Sequence, residues 1–249
     1  MWPLIVLKNP ASTQDIALQF ARTNSYKTKI VYFSASQTDG YGTNSRKWIS
    51  AESSFAASFV FPFSVSNEQQ SISAFPIFLA ILSAQILEKI AIKKKYSIGI
   101  KWPNDLYKNG KKCGGLIMHT LPYKIKNKPL YKAVLGMGIN IAWKRPPDEL
   151  NASAIFESFD DSVNFDPVSF IELMTISIEN FILENRTTDL IHEFSKRDIF
   201  KSETLKISQK NKRVIIGKNM AINHQGRLLV QEKNKTELTE VYSGSIECV

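Results

Sequence analysis

Residues 101–116, KWPNDLYKNGKKCGGL, decide how this chain is read. Pro103 fixes its own φ and pushes Trp102 toward an extended conformation. KWPND therefore reads as a strand that ends in a rigid corner, with Lys101, Asn104 and Asp105 held at the strand end. A hairpin turn around KNGK brings the chain back through Lys111, Lys112 and Cys113 to Gly114 and Gly115. There the missing side chains let a flat ligand lie against backbone. Taken singly, each residue has an ordinary reading as well: Trp102 as core filler, the lysines as solvated charges.

A second stretch, QTDGYGTNSRKWIS at 37–50, follows the apolar run KIVYF. Two glycines after a strand make a turn by default, because glycine accepts positive φ without steric cost. The phosphate-loop pattern G-x-x-x-x-G-K-[ST] is absent, and GYGTNS lacks the third glycine of the dinucleotide fingerprint. The loop needs support from elsewhere in the chain before it can be read as a phosphate site.

The 249 residues suffice for one large domain, or for a domain of about 200 residues with a small one appended. Apolar runs stay well short of the ~18 residues of a membrane span, and MWPLIVLKNP lacks the parts of a secretory leader. Cys113 and Cys248 are too few for a disulfide framework and have no partner at metal-ligand spacing, so a reducing, cytoplasmic setting is expected. The net charge of +9 is uneven: residues 1–150 carry 20 Lys/Arg against 8 Asp/Glu, residues 151–200 carry 3 against 10, and residues 201–249 carry 9 against 5. A basic first half suits an anionic ligand such as a nucleotide, or an acidic partner, although IKKKY and KIKNK read equally well as solvated faces. No helix-turn-helix, zinc knuckle or aromatic-interleaved basic stripe points to nucleic acid.

Periodicity places strands at 3–7, 28–35, 54–63, 97–102, 111–121 and 130–143, and helices at 12–24, 73–95, 166–185 and 189–198. The first helix has Ser12 or Thr13 as its N-cap, which also exposes N–H donors to any nearby anion. The helix over 73–95 is apolar on most sides, so buried, and ends in a lysine run. After a proline-rich turn at 144–154 and the last two helices, short strands follow at 203–209, 212–217, 219–223, 226–232 and 236–244. Five short strands in under 50 residues predict a small β-barrel appended to an α+β domain.

Lys101, Trp102, Pro103, Asn104 and Asp105, followed after a short hairpin by Lys112 and Gly115, closely resemble the signature of biotin protein ligases. Other segments align in chain order. ASTQDIA resembles that family's Ser-Thr-Asn helix start, carrying over Ser12, Thr13 and Gln14 as biotin-pocket residues, with Gln14 in place of the usual Asn. The loop is similar to the family's glutamine and Gly-Arg-Gly-Arg-type segment: Gln37, Gly40, Gly42, Arg46 and Trp48 fit, but Tyr41 and Thr43 stand where many relatives have arginine. GMGINI resembles a Gly-x-Gly-x-Asn strand and places Asn140 near the ligand. Residues 194–207 and the strands beyond look like the junction and SH3-like C-terminal domain of these ligases.

The resemblance implies a mixed β-sheet flanked by helices (the class II synthetase-like catalytic fold) over 1–200 and an SH3-like unit over 201–249. It further implies that biotin's carboxylate attacks the α-phosphate of ATP to give biotinyl-5′-AMP, and that a lysine of a biotin carboxyl carrier protein then displaces AMP. Lys112 is expected between the carboxylate and the phosphate, with Lys101 and Arg46 supplying neighbouring positive charge. Ser12, Thr13 and Gln37 are expected to satisfy the buried ureido group, and Trp48 and Trp102 to form apolar wall. Gly40, Tyr41, Gly42, Thr43, Gly114 and Gly115 are expected to contact biotin or its adenylate, and Mg²⁺ to sit on the phosphates with Asp105 and Asn104 as oxygen ligands. A homodimer is expected by analogy. Because the pattern begins within the first fifteen residues, a monofunctional enzyme without an N-terminal DNA-binding domain is expected. A DNA-binding biotin sensor is therefore not expected; two other readings stay open: a lipoate-type ligase, whose arginine- and glycine-rich patterns are not found here, and a catalytically weakened biotin-binding relative.

Overall fold

A computed structural model describes residues 2–43, 46–64, 72–90, 97–125, 128–145, 151–184 and 190–249. Asn44 and Ser45 of the glycine loop, the lysine run 93–95, much of KIKNK and the Pro146-Pro147 pair lie outside the described residues.

A seven-stranded mixed sheet forms the larger part. In chain order its strands are β1 (Leu4–Val6), β2 (Ile30–Ser34), β3 (Ser53–Ser64), β4 (Gly99–Lys101), β5 (Asp105–Lys108), β6 (Lys111–Ile125) and β7 (Lys128–Ala142). The spatial order is β1-β2-β3-β7-β6-β5-β4; β1 runs parallel to β2 and every other pair is antiparallel. The KNGK turn adopts positive φ at Asn109 and Gly110, as a two-residue hairpin requires. The expected strand through KWPND stops at Lys101. Trp102, Pro103 and Asn104 form the turn, with a cis peptide before Pro103, and a new strand starts at Asp105.

Successive residues of a strand face opposite sides, and the two sides of this sheet differ. Ala133, Leu135, Met137 and Ile139 of β7 join the main core, with Phe59, Phe61, Phe75, Phe170 and Phe194. That core is covered by helices α2 (Phe75–Ile90), α3 (Pro167–Glu184) and α4 (Leu190–Arg197). Burying aromatic and aliphatic side chains of this size contributes about 1.5–3 kcal/mol each, and so holds the helices on the sheet. Val134, from the opposite face, packs with Ala17, Leu18 and Ala21 of helix α1 (Thr13–Thr23). Ser12 is the N-cap of α1, accepting from Asp15 N at 3.3 Å. At the other end Lys132 is fully buried and donates to Ala21 O and Asn24 O at 3.2 and 2.9 Å, which satisfies last-turn carbonyls. Lys132 thereby fixes the C-terminal end of α1 to the sheet.

The remaining strands are β8 (Thr204–Ser208), β9 (Val214–Ile222), β10 (Leu228–Glu232), β11 (Thr239–Val241) and β12 (Ser245–Cys248), in a separate antiparallel sheet of order β11-β10-β9-β8-β12. The strands expected at 212–217 and 219–223 are one continuous strand, and β12 was not expected. Gly217 punctuates the pattern without ending it: a Cβ there would meet Gln231 O at 2.5 Å, so it lets β10 approach β9. Asn219 Nδ2 anchors this sheet by donating to Asp198 Oδ2 and Phe200 O at 2.7 and 2.8 Å, and burial pushes the Asp198 carboxyl up. Among the described residues no helix is long and apolar enough to cross a membrane.

Candidate active site

On the α1 side of the large sheet Gly136 of β7 lies opposite Ile117 of β6, and Gly138 opposite Gly115. Three glycines on adjoining rungs leave bare backbone as the floor of a cavity bounded by the start of α1 and the glycine loop. The space above Gly136 is filled from the side: a Cβ there would sit 2.5 Å from Gln14 Oε1 and 2.9 Å from Ile117 Cγ1.

One end of the cavity is a buried polar network. Thr13 donates to Gln37 Oε1 from both its backbone N (2.7 Å) and its hydroxyl (3.1 Å). The Ser58 hydroxyl is shared between Thr13 Oγ1 at 3.0 Å and Gln14 Oε1 at 2.9 Å. Gln14 Nε2 donates to Val134 O at 3.1 Å and lies 3.0 Å from His119 Nδ1. A carbonyl only accepts, so the amide orientation is fixed and His119 Nδ1 must accept in turn. His119 is held below the ordinary histidine value by burial first and by Arg22 second, with Asp15 opposing. With the folded-state value lowered, the neutral form dominates near neutrality, and stability linked to this group is lost as pH falls through the lowered value. Ligand affinity at this cavity is accordingly expected to hold through the ordinary histidine range and to decline only as pH falls through that lowered value, as the imidazolium expels the Gln14 amide. Calorimetric titration of wild type and His119→Asn across and below that range checks this, since the variant should lack the acid limb.

The opposite end is charged. Asp105 Oδ1 accepts from Lys112 Nζ at 2.7 Å, and the ammonium lies 5.7 Å from the centre of the Trp48 ring. Gly115 gives this pair room: a Cβ would reach Asp105 Oδ1 at 3.2 Å and Lys112 Cε at 3.3 Å. Asn104 holds the turn in place, with its side-chain amide donating to Leu116 O and its carbonyl accepting from Leu116 N at 3.0 Å.

The glycine loop folds over the cavity as a small hairpin. Gly42 N donates to Arg46 O (2.8 Å), Trp48 N to Gly40 O (2.9 Å), and Tyr41 bridges to Lys47. Tyr41, in an arginine position of the signature, donates its hydroxyl to Asp15 Oδ1 at 2.6 Å and so fastens the loop to α1. Burial, then the bond to Asp15, pushes the Tyr41 phenol up to about 12, so it remains a donor throughout the neutral range. The Trp48 indole rests against Gly138, where a Cβ would approach it to 3.0 Å.

A second, larger cleft adjoins the first and shares Thr43, Asn104 and Asp105 with it. Lys101, Arg46 and, from the C-terminal sheet, Lys210 line it. Burial pushes the Lys101 ammonium down, and Lys112 and Arg46 add to that effect against Asp105 and Glu247. Each of these positive groups gains when an anion enters.

Of the expected site residues, Ser12, Thr13, Gln14, Gln37, Tyr41, Gly42, Thr43, Trp48, Asn104, Asp105, Lys112 and Gly115 line the first cavity, and Lys101 and Arg46 the second. Gly40, Gly114 and Asn140 line neither. Gly40 packs on the Gln37 side chain, and Gly114 packs under Gly138 O and Leu106. The Asn140 amide accepts from Ala51 N (3.0 Å) and donates to Ser153 O (3.4 Å), a backbone-bracing role. Trp102 borders the second cleft rather than the first. Ser58 and His119 were not anticipated, and the GMGINI motif pointed to Asn140, whereas its glycines Gly136 and Gly138 are the residues that line the cavity. Among the described residues no group of three His, Cys, Asp or Glu is placed to hold a metal, and Asp105 is the sole carboxylate among the lining residues of either cavity. One carboxylate fits a magnesium ion that arrives on a polyphosphate and keeps its water ligands, but not a resident protein-caged ion.

This bare-floored cavity joined to a basic cleft, on a mixed sheet flanked by helices, accompanies a match of residues 6–140 to the biotin/lipoate A/B protein ligase family, to which the chain belongs. Among characterised relatives, the bifunctional ligase/repressor BirA of Escherichia coli is 26% identical over 202 residues, which is 79% of this chain and 60% of that protein. The biotin–protein ligase of Schizosaccharomyces pombe is 24% identical, over 86% of this chain and 37% of its own. The chain thus spans well under two thirds of either relative. In fold it is similar to the Aquifex aeolicus biotin protein ligase solved with biotin and ATP, with a TM-score of 0.74 over the whole of both chains at 22% identity.

Proposed function

We propose that this protein is a biotin protein ligase, which joins biotin to ATP as biotinyl-5′-AMP and passes the biotinyl group to a lysine of a biotin carboxyl carrier protein. The observation that carries the reading is the pair of adjoining cavities, one glycine-floored and lined by amides and hydroxyls, the other basic, meeting at Thr43, Asn104 and Asp105, where Asp105 holds Lys112. Biotin's ureido group fits the network of Thr13, Gln37, Ser58 and Gln14, where a buried polar head finds both donors and acceptors. The polyphosphate fits the cleft of Arg46, Lys101 and Lys210, with a magnesium ion borne on it and Asp105 as its protein ligand.

In the first step a carboxylate oxygen of biotin forms a bond to the α-phosphorus and the bond to pyrophosphate breaks. Two anions must meet for this, and Lys112 is placed to stand between them once released from Asp105. In the second step the carrier amine attacks the acyl carbon, the bond to the phosphate oxygen breaks, and AMP leaves. Residues 1–200 would carry this chemistry. Residues 201–249 would close as an SH3-like barrel, and the setting would be the cytoplasm, where Cys113 and Cys248 stay thiols.

The deciding experiment offers purified protein Mg-ATP with biotin or with lipoate and reads the adenylate by mass spectrometry. Biotinyl-AMP alone is the expected product; lipoyl-AMP alone would assign the protein to the lipoate branch, and no adenylate would make it a binding relative. The loop adds a quantitative expectation. Tyr41→Phe removes one hydrogen bond worth ~0.5–1.5 kcal/mol, so release of the adenylate, followed by quenched-flow trapping, should rise about three- to tenfold.

A further inference from the structure

Trp102 is 5% exposed and its indole N–H donates to Gly226 O at 2.9 Å, a buried bond between residues 124 apart in sequence. Gly226 belongs to the turn between β9 and β10. That turn is rigid, because Asn223 Oδ1 accepts from Gln225 N and Arg227 N at 2.9 and 3.0 Å and Gly226 takes φ +74. It is also wedged against the start of α2. A Cβ on Gly226 would lie 2.7 Å from Ala74 Cα, and Ser73 Oγ donates to Gln225 O at 2.9 Å. A second tie lies two residues earlier, where Ile199 N donates to Ile100 O at 3.2 Å. Lys101 therefore sits between two contacts with residues 199–227, its ammonium 5.6 Å from the Phe200 ring.

On the other side of Trp102, Asn104 is clamped to Leu116, and Asp105, paired with Gly115 in the β5–β6 ladder, holds Lys112. The four-residue path from Trp102 to Asp105 is thus fastened at each end, one end being set by the C-terminal sheet. We propose that Trp102 is a positioning residue: through Gly226 it makes the C-terminal sheet set where the signature turn presents Asp105 and Lys112 to the reacting groups. The inference rests on the ligase reading and extends it. The signature tryptophan does not line the first cavity, and it acts on the chemical step through the turn that follows it. Displacing a charged group by about 1 Å costs far more in rate than in ground-state affinity, because only the transition state requires the full geometry.

The test is Trp102→Phe, which keeps an aromatic ring in the core and removes the donor, with Gly226→Ala as a second variant that pushes the turn off Ala74. Pyrophosphate exchange should show kcat for adenylate formation reduced at least tenfold in Trp102→Phe, with KM for biotin within threefold and the melting temperature within a few degrees. Gly226→Ala, where it folds, should show the same split. An active wild type whose Trp102→Phe variant keeps kcat within twofold would overturn the inference alone, as would a loss of kcat matched by an equal loss of biotin affinity. A wild type that forms no adenylate would overturn the ligase reading and this inference with it.

Discussion

Replacing Lys112 by alanine is expected to lower the rate of biotinyl-adenylate formation by about a hundred- to a thousandfold, the loss that follows removal of one preorganised donor from a developing charge. In free energy this is about 2.7–4 kcal/mol of transition-state stabilisation. The side chain is 34% exposed and Asp105, its salt-bridge partner among the described residues, is 26% exposed, so water can solvate the carboxylate left behind. The fold should therefore survive, and biotin binding should change little, because the Thr13, Gln14, Gln37 and Ser58 network proposed to hold the ureido group lies at the other end of the cavity. Pyrophosphate exchange, biotin calorimetry and thermal unfolding together separate these expectations. Near-full exchange activity in Lys112→Ala would remove the residue from the centre of the mechanism.

The second large effect is expected from Gly136→Val, and it should fall on binding. The first added carbon alone meets Gln14 Oε1 at 2.5 Å and Ile117 Cγ1 at 2.9 Å, and both neighbours are themselves packed. Gln14 is 3% exposed and bonded on both sides of its amide, so it can yield only by breaking bonds to Ser58, Val134 or His119. Overpacking of this kind costs about 1–3 kcal/mol. A biotin affinity about a hundredfold weaker is expected, with kcat at saturating biotin largely retained. Wild-type affinity in Gly136→Val would mean that biotin does not lie over this rung.

Much of this site was legible in the sequence because its determinants are local. The Ser12 cap, the Asn109-Gly110 turn and the spacing from Lys101 to Gly115 depend on neighbours a few residues away, and all appear as expected. What escaped depends on pairing between distant strands. Ser58 and His119 carry no motif of their own, and Ser58 reaches the cavity and His119 the Gln14 amide only through the β3–β7–β6 register. Asn140 shows the converse: its motif points to a ligand, yet the folded chain spends its amide on Ala51 and Ser153. The last strand, Ser245–Cys248, was missed because it pairs with β8 at the far end of the chain segment, a partner no local pattern reveals.

Strand β7 serves α1 with consecutive residues of a single face. Lys132 grips the helix end, Val134 O holds the Gln14 amide, Gly136 leaves that amide its space, and Gly138 seats Trp48. A chain that paired β7 one residue out of step would turn all four to the other side of the sheet at once. Clamp, anchor, floor and lid seat would vanish together, and no half-built site would remain. On the proposed ligase reading, ligand recognition thus doubles as a proofreading mark for strand pairing: only correctly registered molecules would answer to biotin, and misassembled ones would stay silent.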